Sequence, residues 1–90
     1  MTKIKVNPEQ LDQAATRFLA CSQQNLEMAQ ELKGIIDGMS GEWEGVTRER
    51  FYQSYTGSHE QLQSVSETLK TVGEELKAIA ERFRTADNSA

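Results

Sequence analysis

Residues 37–46 read Asp37-Gly38-Met39-Ser40-Gly41-Glu42-Trp43-Glu44-Gly45-Val46. With Gly34 just before them, Gly38, Gly41 and Gly45 place four of the chain's six glycines in and beside this stretch, which also carries the only tryptophan. Glycine accepts backbone angles that other residues resist, so a cluster of it marks a bend. On either side apolar residues recur at helical spacing, and the stretch therefore reads as the turn of a helical hairpin. The first helix has its own start signal. Asn7 is an N-cap, Pro8 suits the first helical position, and Gln10 stands where a capping box places its return partner. The spacing predicts a tail over 1–6, with Ile4 and Val6 alternating in it as a strand or a free arm, then a first helix over 8–39. A turn over 40–45, a second helix over 46–86 and a tail over 87–90 complete a single domain.

Working outward from the turn, Leu11, Ala14, Phe18, Cys21, Asn25, Met28, Leu32, Ile35 and Met39 follow a 3–4 spacing on the first segment. Phe51, Tyr55, Ser58, Leu62, Val65, Leu69, Val72, Leu76, Ile79, Phe83 and Ala86 continue it on the second. Apolar residues held at about 3.5-residue intervals over several heptads indicate knobs-into-holes helix packing. The reading assigns this seam, above all Leu11, Phe18, Met28, Leu32, Ile35, Leu62, Leu69, Leu76 and Ile79, to the core of the hairpin and its assembly. Asn25 and Ser58 are its polar interruptions, which either set register or face a wet edge.

A second stripe accompanies the first on helix one: Ala15, Leu19, Ser22, Leu26, Ala29 and Ile36, broken by Lys33. On helix two the corresponding row is Tyr52, His59, Ser66, Gly73 and Ala80. Two helices cannot cover both stripes with each other. The spare face, with Ala15, Leu19, Leu26 and Ala29 at its centre, is assigned to pairing of two hairpins in an antiparallel four-helix bundle. Size points the same way. A 90-residue chain buries only about 60–65% of its unfolded surface, and with one cysteine and one histidine it has neither an internal disulfide nor the roughly four ligands of a structural zinc site. A partner chain is the staple that remains.

The balance of 10 Lys plus Arg against 14 Asp plus Glu, net -4, disfavours nucleic acid, because phosphate binding draws on clustered basic residues. No apolar run approaches the ~20 residues of a membrane span, and none near Met1 resembles a signal peptide. His59 has no nucleophile at catalytic spacing, Cys21 sits in the apolar seam, and the scattered carboxylates lack a pocket. The reading is therefore of a non-enzyme with no cofactor, no metal and no small-molecule substrate.

Near one hundred residues in length, with two long amphipathic helices around Trp43-Glu44-Gly45, the chain resembles the WXG family of early-secreted-antigen-like proteins. The likeness covers essentially the whole chain. Trp-x-Gly alone is a weak motif; its place midway between two heptad-patterned segments is what makes the combination specific. The resemblance implies an all-α hairpin that pairs with itself or a related WXG chain. It also implies manufacture in the bacterial cytoplasm and export, without a cleavable signal peptide, as a folded dimer by the membrane-bound ATPase of type VII secretion. An alternative role is that of a helical adaptor or chaperone that pairs with a larger toxin and carries it to the same machine. The family's export signal, Tyr-x-x-x-Asp/Glu, has its counterpart in Phe83-Arg84-Thr85-Ala86-Asp87, with phenylalanine in place of tyrosine. Phe83 also falls in the heptad seam, so a core role competes there with a signal role. Trp43 is read in two ways, as a plug over the hairpin's end or as a displayed docking anchor that forms a composite surface with Asp87 of an antiparallel partner.

Overall fold

The computed structural model describes residues 7–39 and 45–89, with side chains to Ala86. Helix α1 runs from Pro8 to Met39 and helix α2 from Val46 to Ser89, and among the described residues these two elements are the whole fold. They lie antiparallel in a rod of 68 × 23 × 16 Å. Asn7 caps α1 by accepting the Glu9 amide on Oδ1 at 2.9 Å, and its carbonyl takes the Gln10 and Leu11 amides. Gly45 opens α2: its φ is +100°, where a side chain would be strained, and its carbonyl accepts the Glu49 amide at 3.2 Å. The glycine is thus required where the chain re-enters helix. At its other end α2 continues past Ala86, so the backbone of residues 87–89 is helical and not a tail. The expected arm at 1–6 and the bend at 40–44, Trp43 included, lie outside the described residues.

The contact between the helices reverses the expected assignment of faces. The buried apolar side chains are Ala15, Ala29 and Ala80, at 0–1% exposure, with Ser22 and Ser66 between them. Gly73 completes the row: a Cβ there would stand 2.9 Å from Leu19 Cγ and Cδ2 and 3.1 Å from the Ala15 carbonyl oxygen. The small stripe is therefore the inner seam of the hairpin, and Ala15 and Ala29 are not available to a second chain. Leu19 folds over Gly73 and, like Leu26, is half-buried along one margin of this seam. The reason is steric. Small residues on both helices let the axes approach closely, and the larger side chains are displaced to the flanks.

The heptad row of large residues becomes one of those flanks. On each helix its members stand three residues after or one residue before a member of the small row. In antiparallel helices the same rotational offset brings both sets to the same side, and they merge into one long apolar face. Leu11, Phe18, Leu62, Leu69, Leu76 and Ile79 are half-buried along it. Met28, Leu32, Ile35, Met39, Phe51, Val65 and Phe83 are 36–51% exposed.

Candidate functional site: the apolar face and the two hairpin ends

At the middle of the rod the inner seam carries a polar network. Ser22 Oγ donates to the Ser66 carbonyl at 2.7 Å, while Asn25 Nδ2 donates to the Leu62 carbonyl and to Ser66 Oγ, both at 2.7 Å. Ser66 Oγ in turn donates to the Leu62 carbonyl at 3.1 Å. Sliding one helix against the other would leave these groups unmatched in a half-dry environment, and such a mismatch costs about 1–3 kcal/mol per unsatisfied group. The network therefore fixes the register of the two helices, and with it the alignment of large residues on the outer face. Asn25 does act as a register device, but its partner is Ser66; Ser58 is exposed.

Toward the bend the face turns aromatic. Phe51 and Tyr55 stack at 6.2 Å between centroids, Tyr55 lies 5.9 Å from the His59 ring, and Phe51 meets Tyr52 edge-on at 6.3 Å. Tyr52 donates to the Ile36 carbonyl at 3.4 Å, with the Arg48 guanidinium 5.3 Å above its ring. Tyr55 Oη and His59 Nδ1 are buried without a hydrogen-bond partner among the described residues. On the opposite flank Lys33 pairs with Asp37 at 2.9 Å, a hydrogen bond that holds the ammonium pKa above its usual value.

At the far end Arg84 of α2 pairs with Asp12 of α1 and, at 2.8 Å, with Glu81 one turn earlier. The hydrogen bond to Asp12, then that to Glu81, raises the guanidinium pKa further. Sequence reading overlooked this pair because nothing in a periodicity places residue 12 beside residue 84. Phe83, at 38% exposure, projects from the neighbouring position onto the end of the apolar face. Asp87 is part of the same helix by its backbone. Among the described residues no His, Cys, Asp or Glu side chains converge as a metal site, and no helix is long and apolar enough to cross a membrane. Cys21 is half-buried on the apolar face.

The fold and its surface define a class of molecule: an antiparallel helical hairpin, closed by small residues, that presents one unpartnered apolar face along its length. Within that class the chain belongs to the WXG100 family, proteins of 100 residues with WXG, whose model matches residues 3–88. Solved structures agree. The secreted protein EsxB of Bacillus anthracis str. Sterne, in a point-variant form, is 30% identical with a TM-score of 0.85, over 100% of this chain and 99% of that one. A second EsxB variant gives 29% identity and a TM-score of 0.88, over 94% and 96%. EsxA of Geobacillus thermodenitrificans gives 25% and 0.85, over 97% and 95%. Among curated protein sequences there is no match.

Proposed function

We propose that this chain is a small non-enzymatic protein exported by bacterial type VII secretion as a folded dimer, acting as a secreted substrate or as a secretion partner of a related chain. The observation that carries the reading is the apolar face: large side chains from both helices, 36–51% exposed at seven positions, run along one side of the rod. Exposed apolar residues scattered singly are ordinary, whereas a contiguous stripe of them marks an interface. A second copy laid antiparallel on this face would cover it with the same residues and produce a four-helix bundle. Family membership and the secreted EsxB proteins it resembles supply the context of export.

In this reading Phe83 and Asp87 form the export signal, read by the membrane-bound ATPase, and the turn with Trp43 and Gly45 docks beside that signal of an antiparallel partner copy. The test is fractionation of cells with and without that ATPase. ATPase-dependent appearance in the medium of a species of about twice the 10.1 kDa chain mass supports the reading. Retention in both strains overturns it. Recovery only in company with a larger toxin reassigns the chain as that toxin's adaptor.

A further inference from the structure

We propose that the Asp12–Arg84 pair is a latch that keeps the end of α2 helical and docked, so that the segment 83–87 is presented in one conformation. This inference rests on the export reading for its consequence, while the latch itself rests on geometry. The inner seam ends at Ala80. Beyond it no described side chain of α2 is buried, and within 81–86 Arg84 is the one that is half-covered. The last turn of α2 carries no basic residue to satisfy its terminal carbonyls, so the helix end lacks one of the usual supports against fraying. Of the ion pairs among the described residues, Asp12–Arg84 joins the two helices, whereas Lys33–Asp37, Lys70–Glu74 and Arg84–Glu81 each lie within one.

Arg84 is suited to the task. Its planar guanidinium serves Asp12 across the helices through one nitrogen and Glu81 along the helix through the other. The pair lies one residue from Phe83 and one turn from Asp87. A segment already ordered in its bound form gives up less conformational freedom on docking than one that must first be ordered. Arg84 and Asp12 therefore act as positioning residues: they touch no partner themselves but set the conformation in which their neighbours are met.

The experiment compares the full-length protein with Asp12→Asn, Arg84→Gln and Arg84→Lys, using amide hydrogen exchange resolved by residue together with export from cells. Asp12→Asn and Arg84→Gln should each speed exchange of amides 84–88 by about two- to fivefold, as for one half-exposed ion pair. They should leave exchange at Ser22 and Ser66 and the thermal midpoint near wild type, and lower export to a similar degree. Arg84→Lys, which keeps the charge but not the planar fork that serves both carboxylates, should recover both in part. Unchanged exchange at 84–88 refutes the latch. Faster exchange with export equal to or above wild type refutes its role in presentation. A wild-type chain that is not exported overturns the export reading instead, and the latch is then decided by exchange alone.

Discussion

Gly73→Ala puts the reversal of faces to a quantitative test. In an exposed helix interior the replacement of glycine by alanine stabilises by about 1 kcal/mol through backbone propensity. At Gly73 the new methyl would stand 2.9 Å from Leu19 Cγ and Cδ2 and 3.1 Å from the Ala15 carbonyl oxygen. Leu19 can yield by changing rotamer, but the Ala15 oxygen is backbone and moves only with the helix. Overpacking of this kind costs about 1–3 kcal/mol. The net is a loss of between about 0 and 2 kcal/mol. Gly57 is the internal control, since it lies on the same helix with nothing within 4 Å of its added methyl, and Gly57→Ala should show the propensity gain alone. The two variants should thus differ by about 1–3 kcal/mol, or on the order of 5–20 °C in thermal midpoint for a domain of this size. The assay is thermal unfolding followed by far-ultraviolet circular dichroism at one fixed protein concentration, because association shifts the midpoint. If Gly73→Ala stabilises as much as Gly57→Ala, the small row is not the inner seam and the large row must close the hairpin after all.

Val65→Glu, at a position 50% exposed on the apolar face, should halve the mass seen by light scattering while helicity at micromolar concentration persists; a charged variant that still pairs would remove the face from the interface. Leu69→Ala should lower the midpoint by more at high than at low protein concentration, reaching the roughly 2–5 kcal/mol typical of enclosed leucines only where the dimer is populated, and a concentration-independent loss would place Leu69 in the hairpin's own core. Asn25→Ala should cost about 1–2 kcal/mol through its two lost hydrogen bonds, which denaturant unfolding can measure; a neutral result would deny the register network. Trp43→Ala should leave dimer mass and helicity near wild type and reduce export, whereas a loss of about 3–5 kcal/mol, as for a buried tryptophan, would make the residue a structural plug.

Much of this molecule is written in one dimension. Asn7-Pro8 starts α1 and Gly45 admits α2 because capping and positive φ are local requirements that depend on a few neighbouring residues. The 3.5-residue spacing gives the helices and both stripes for the same reason: a helix presents residue i with i+3, i+4 and i+7 whatever surrounds it. Which stripe meets which is not local. Large apolar residues are the natural guess for a core, yet Ala15, Ala29, Gly73 and Ala80 close the hairpin because two small-faced helices approach closely and seal it with little side-chain volume. Leu32, Ile35 and Val65 are left for a surface that a single chain cannot cover. Register is equally a product of three dimensions. Asn25 stood out as a polar break in its stripe, but its pairing with Ser66, like that of Asp12 with Arg84, exists only once the antiparallel alignment sets residues 41 and 72 positions apart side by side.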